Sequence, residues 1–193
     1  MARQIDAETP ASLVLRIRDQ DDQVAWKTFV DVYSPMIYGF CRMKGLQASD
    51  AADVSQEALI RIAKAVRTLE YDRSKGLFRD WIATIVHNEI RRHVRRANTN
   101  PATIQEQDIA SDGVSPEWNE HFQRHIFETA LQRCQQHFAK ETWKLFEHSW
   151  LNKQSVEQVA QTFNVGPDKI YVARSRVLKR LKHEVAVLSD ELP

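Results

Sequence analysis

The sequence predicts an all-α protein: two small helical domains joined by an acidic linker. Three observations lead there. Glycine and proline are scarce, five and six in 193 residues, so few positions interrupt a helix. Apolar residues recur at three-and-four spacing along most of the chain, and no stretch alternates apolar with polar residues long enough for a half-buried strand. That periodicity lapses in the middle, where Asn98 to Gln123 holds five acidic residues, two prolines and no lysine or arginine. The expected division is 1–97, a linker over 98–117, and 118–193.

With 42% hydrophobic and 27% charged residues the chain has enough apolar material for a core in each part. The first helix carries Trp26, Phe29, Val30, Tyr33 and Ile37 on one face. The next is announced by Ser49 and Asp50 and places Ala58, Ile62, Ala65 and Leu69 inward. Asp53, Glu57, Arg61 and Lys64 then fall on its opposite side. After a turn at Tyr71 to Gly76, Leu77 to Arg96 reads as one long helix, apolar and aromatic at first and basic later. Periodicity resumes with Trp118, Phe122, Phe127, Leu131, Cys134 and Phe138, and again with Trp143, Phe146 and Trp150.

Near the C-terminus, QSVEQVAQTFNVGPDKIYVARSRVLKRLK predicts a helix-turn-helix. Ser155 suits an N-cap, and Val156, Val159, Ala160 and Phe163 share a face. Asn164 stands where the chain must turn sharply, since asparagine tolerates a left-handed conformation. Val165 points back to the core, and Pro167 takes a first-turn position where its missing amide costs little. On the second helix Ile170, Ala173, Val177 and Leu181 lie inward. Lys169, Tyr171, Val172, Ser175, Arg176, Lys179 and Lys182 lie outward, with Arg174 at the core edge. Side chains able to reach base edges, followed by lysines and arginines for phosphates, are what a recognition helix needs in a major groove. A merely solvated amphipathic hairpin shares the basic face, but not the joint placement of Ala160, Asn164, Val165 and Ile170.

In the first part, GLFRDWIATIVHNEIRRHVRR puts Asn88, Arg91, Arg92 and Arg95 on one face. Four arginines within six residues exceed what a helix dipole requires, and the surplus favours a polyanion. Phe78 and Trp81 are either core residues or aromatic faces for unstacked bases.

Taken together these segments resemble the small two-domain extracytoplasmic-function (ECF) sigma factors of bacterial RNA polymerase. DVSQEALIRIAKAV from Asp53 looks like their polymerase-docking helix, and FRDWIATIVHNEIRRHVRR from Phe78 like their −10 segment. The helix-turn-helix looks like their −35 reader. The resemblance implies core RNA polymerase and promoter DNA as partners, and leaves room for an anti-sigma factor whose existence the sequence does not tell. It implies docking by Asp53, Gln56 and Glu57, −10 contacts by Asn88, Arg91, Arg92 and Arg95, and −35 contacts by Lys169, Tyr171, Val172, Ser175, Arg176 and Lys179. It also implies that the acidic linker threads the RNA exit path. Asn164 departs from the usual turn glycine, and Pro167 to Val172 from the usual small and hydroxylated residues, so no promoter preference transfers. His87 replaces a residue often basic in relatives.

No phosphate-cradling loop, nucleophile elbow or Walker lysine suggests an enzyme, and no catalytic residue or cofactor is expected. His121 with His125 and Cys134 with His137 have spacings a zinc site uses, without a clear four-ligand set, so no metal is expected. Cys41 and Cys134 lie in helical patterns and read as core thiols of a reducing compartment. With no signal peptide and no span long enough for a bilayer, a cytoplasmic protein without membrane insertion is expected. The competing reading is a helix-turn-helix regulator that binds duplex DNA without polymerase. It leaves the Asp53/Gln56/Glu57 face and the basic stripe of the first part unexplained. A third reading is a helical adaptor with no DNA role, which weak salt dependence of DNA binding would favour.

Overall fold

The computed structural model describes residues 13–71, 77–97 and 115–190, and among them every regular element is helical. In order these are α1 (Leu13–Arg16), α2 (Gln23–Met43), α3 (Ala48–Ala65), α4 (Phe78–Ala97), α5 (Pro116–Gln136), α6 (Lys140–Phe146), α7 (Val156–Phe163) and α8 (Pro167–Asp190). A short 3₁₀ turn (Val66–Thr68) follows α3, and a π-helical turn (Glu147–Leu151) follows α6. By its contacts the chain forms two compact units, one ending at Arg124 and the other spanning His125–Ser189.

In the first unit α2 is the spine. Asp22 starts it, accepting a hydrogen bond from the Ala25 amide at 2.9 Å and a paired contact from Arg16. Ala25, Phe29, Val32, Tyr33, Met36, Ile37, Phe40 and Cys41 form its buried stripe. Val30, expected on this stripe, is exposed instead, because the four-residue steps 25–29–33–37–41 turn position 30 outward. Phe29 and Tyr33 stack at 4.6 Å between ring centres, and Phe78 of α4 meets both edge-on. Helix α3 packs against α2 and α4, burying Ala51, Val54, Ser55, Ala58 and Ile62. The stripe continues at Val66 rather than at Ala65, which is exposed.

Helix α5 opens with Trp118 and Phe122, and these serve the first unit. Trp118 meets Phe40 edge-on at 4.9 Å, and Phe122 lies 6.3 Å from Tyr33. His121 donates from Nε2 to the Met36 carbonyl at 2.9 Å and lies so close to Gly39 that a Cβ there would sit 3.0 Å from the imidazole. The boundary between the two compact units falls at 124/125, within α5, and the first two aromatics of that helix are partners of α2. Of the linker expected over 98–117, residues 98–114 lie outside the described residues, as do 72–76 of the turn before α4.

In the second unit Leu145, Val159, Ile170 and Ala173 form a buried cluster, with Val156, Ala160, Phe163 and Val165 packed against it. Ser155 caps α7 in a reciprocal box. Its hydroxyl accepts from the Gln158 amide at 3.2 Å, and the Gln158 side chain accepts from the Ser155 amide at 3.1 Å. Asn164 ends the helix at φ 51° and ψ 52°, the left-handed conformation expected of it. The Val165 amide then bonds back to the Ala160 carbonyl at 3.1 Å, closing the turn before Pro167 begins α8.

Asn164→Ala is therefore expected to destabilise the second unit by about 1 kcal/mol, the cost of a left-handed residue with a Cβ and no compensating side chain. Asn164→Gly should leave stability essentially unchanged. Urea unfolding of the full chain, followed by helical circular dichroism, compares the two.

Candidate nucleic-acid and polymerase interface

Three surfaces carry the residues singled out from the sequence. On α3, Asp53, Gln56 and Glu57 are all exposed, on the side away from the Ala51/Val54/Ala58/Ile62 stripe. The stripe faces α2 and α4, so these polar side chains necessarily form an outward patch. Ile60 lies among them and is also exposed.

On α4 the first half is core. Phe78, Ile82, Ala83 and Val86 are buried, which rules out Phe78 as a stacking surface for bases. Trp81 is half-buried, stacked on Phe78 at 5.3 Å. In the second half Asn88, Arg92 and Arg95 are exposed and Arg91 is half-buried, so the stripe forms as expected, with Arg91 at its inner edge. Sequence reading passed over Glu89. It is buried, and its Oε1 meets Arg92 Nη1 at 3.4 Å and pairs with Nε of Arg61 from α3. Only the acid between the apolar and basic halves of α4 hinted at it.

His87 is not on the basic surface. It is half-buried, its ring 5.1 Å from Phe40 and 6.2 Å from Trp118, and Nδ1 donates to the Ala83 carbonyl at 2.7 Å. Burial pulls its pKa below the ordinary value of 6.5, and the charges of Lys44 and Arg91 pull the same way. The cysteines are buried thiols. Desolvation pushes Cys41 up to about 11 and raises Cys134 as well, which makes both poor nucleophiles at neutral pH.

On α8, Ile170, Ala173, Val177 and Leu181 are buried. Lys169, Tyr171, Val172, Ser175, Arg176, Lys179 and Lys182 are exposed. Tyr171 and Val172 are each 55% exposed, unusually apolar for a solvated surface and suited to contact with base edges and thymine methyl groups. Lys169 is not solitary: its Nζ lies 2.6 Å from Glu141 of α6. Both side chains are more than half exposed, so this pair is weak and a phosphate can replace the carboxylate. At the far end Glu184 is buried and held by Arg180 at 2.5 Å. Of the residues with metal-like spacing, His121 is engaged with the Met36 carbonyl and His137 with Arg180 at 2.9 Å. Among the described residues no three His, Cys, Asp or Glu side chains gather as a metal site would require.

Part of this chain has a family counterpart. Residues 29–99 match Sigma-70 region 2. The match takes in α2 from Phe29 onward together with all of α3 and α4, and so contains the outward α3 patch, the α4 stripe and Glu89. It covers little more than a third of the chain, and it supports a sigma-70 family sigma factor, with RNA polymerase and promoter DNA as partners in promoter recognition and melting. The region 2 match does not reach α5 to α8. No curated protein matches the chain. No described helix is long and apolar enough to cross a membrane.

The depressed pKa of His87 has a consequence for stability. In the unfolded chain the imidazole protonates near 6.5, while the folded protein resists protonation until lower pH. The stability His87 contributes is thus present above pH 6.5 and is lost as pH falls from there towards its folded value. Thermal unfolding at pH 7.5 and pH 5.5 is expected to show a larger drop for the wild type than for His87→Gln.

Proposed function

We propose that this protein is an ECF-type sigma factor of the cytoplasm: a non-catalytic subunit, needing no cofactor, that binds core RNA polymerase and directs it to promoters through both helical units. The observation that carries the reading is the region 2 match laid over α3 and α4, where one helix presents an acidic and polar patch and the next a row of arginines.

In this reading Asp53, Gln56 and Glu57 dock on the polymerase, and two carboxylates on one outward face suit a basic partner surface. Asn88 helps hold a base released from the stack, while Arg91, Arg92 and Arg95 take the backbone of the melted −10 strand. The α7–α8 pair acts as a helix-turn-helix on the −35 element. Tyr171, Val172 and Ser175 reach base edges there, and Lys169, Arg176 and Lys179 hold phosphates. The acidic segment before α5 follows the RNA exit path, where negative charge suits a channel built for RNA. An anti-sigma factor that covers the α3 or α8 surface would keep such a protein silent.

Purified core polymerase and the full chain, given fragments of the source genome, should start transcription at discrete sites. Failure at every fragment overturns the sigma-factor reading. Glu57→Lys is expected to weaken association with core polymerase at least tenfold while leaving duplex binding by the isolated chain intact. Arg176→Ala should do the reverse, weakening duplex binding and lowering its log–log salt slope by about 0.9. Co-purification with core polymerase and fluorescence anisotropy on duplex DNA separate the two effects.

A further inference from the structure

Among the described residues of the first unit, Glu89 is the acid that is both deeply buried and bonded to two guanidinium groups. Only 5% of it is exposed, on a helix whose inward positions are otherwise apolar. A buried ion pair is a poor source of stability, because desolvation consumes most of the Coulombic gain and an apolar residue packs as well. What an apolar residue cannot do is hold two guanidinium groups in place at the surface.

Arg61 and Arg92 are those groups. Arg61 comes from α3, one turn beyond Glu57, and its backbone position alone would assign it to the docking patch. Its Nε is instead paired with Glu89 of α4, which draws the guanidinium to the α3–α4 seam beside Arg92. The side chains of Arg61 and Arg92 remain 44% and 43% exposed. Each guanidinium carries five N–H donors, and these contacts use one apiece, which leaves donors for a further anion. The cluster holds two positive charges and one negative, and Asn88, Arg91 and Arg95 flank it on α4. A second α3–α4 contact, His93 to Asp50 at 3.7 Å, lies on the same seam.

We propose that Arg61 is a DNA-phosphate ligand, extending the α4 arginine stripe across the seam onto α3, and that Glu89 is the positioning residue that brings it there. Arg61 and Arg92 together take one or two adjacent backbone phosphates of a single strand. The proposal rests on the reading of α4 as a single-strand DNA surface.

The test uses the full chain and a fluorescent, mixed-sequence single-stranded oligonucleotide, titrated over a range of salt concentrations. Arg61→Ala and Arg92→Ala are each expected to lower the log–log salt slope by about 0.7, the loss of one phosphate contact on a single strand. In a Glu89→Gln background, Arg61→Ala should change the slope far less, because Arg61 is no longer held at the seam. This difference of differences is independent of the charge that Glu89→Gln itself removes. Glu89→Leu, which packs without a charge, should behave as Glu89→Gln does and keeps the test available if either variant fails to fold. Association of Arg61→Ala with core polymerase is expected to be unchanged.

An unchanged slope for Arg61→Ala overturns the proposal. If that variant also loses core polymerase, Arg61 belongs to the docking patch. Equal effects of Arg61→Ala in the wild type and in the Glu89→Gln background overturn the positioning role. No salt-dependent binding by the wild type overturns the α4 reading itself, whereas an effect of Arg92→Ala without one of Arg61→Ala overturns only the present inference.

Discussion

The aromatic row along α2 decides where everything else in the first unit goes. Phe29, Tyr33 and Phe40 are fully buried, and each is met by a ring from a helix distant in sequence: Phe78 of α4, Trp118 and Phe122 of α5. Burying one such side chain contributes about 1.5–3 kcal/mol, and favourable ring geometry adds about 0.5–1.5 kcal/mol. Because α4 must deliver Phe78 to that row and bury Ile82 on the same side, the residues three and four positions apart on its other side have to face out. The arginine stripe is therefore a consequence of core packing in the helix's first half and of helical phase in its second. The same holds for α3, whose small buried residues let it lie against both neighbours and turn Asp53, Gln56 and Glu57 outward.

A second constraint acts where the apolar and basic halves of α4 meet. Several arginines close together on one helix repel each other, and their guanidinium groups are free to spread unless something holds them. Glu89 lies at that junction, bonded to a guanidinium from each of two helices. The seam between α3 and α4 thus combines apolar packing with charged contacts at Arg61–Glu89 and Asp50–His93. The two candidate surfaces of this unit, one on each helix, are separated by residues that touch.

The sequence exposed the helices readily, since their faces follow a 3.6-residue period that apolar spacing reports directly. The turn at Asn164 was equally legible, because few residues other than glycine and asparagine accept φ near +50°. Other features were not legible, for definite reasons. Val30 and Ala65 each sit one position away from the true stripe, and spacing alone does not choose between three- and four-residue steps. Trp118 and Phe122 belong to the first unit although they begin a helix that continues into the second, and periodicity along one helix does not say which neighbour buries it. Glu89 and Arg61 are partners 28 positions apart in sequence, as are Lys169 and Glu141, and such pairs exist only once the helices have packed. The outward residues of α3, α4 and α8 were foreseen as a set, but which of their charges were already engaged was not.

The net charge of +1 at first opposes a nucleic-acid role, since such proteins usually carry a basic excess. What matters for binding is the field at each surface, and here the charges are segregated: carboxylates on the outer face of α3 and in the segment before α5, cations along α4 and α8. In the proposed role that segregation is useful. A chain with a large uniform positive charge would bind any duplex tightly in the absence of polymerase, and its promoter sites would compete with the rest of the genome. Two modest basic surfaces on separate units bind nonspecific DNA weakly one at a time. They become strong when a partner holding the α3 patch fixes both on one promoter, because the second contact is then made at high effective concentration. Selectivity would come from requiring polymerase, melted strand and duplex element together, and a nearly neutral chain makes that requirement enforceable.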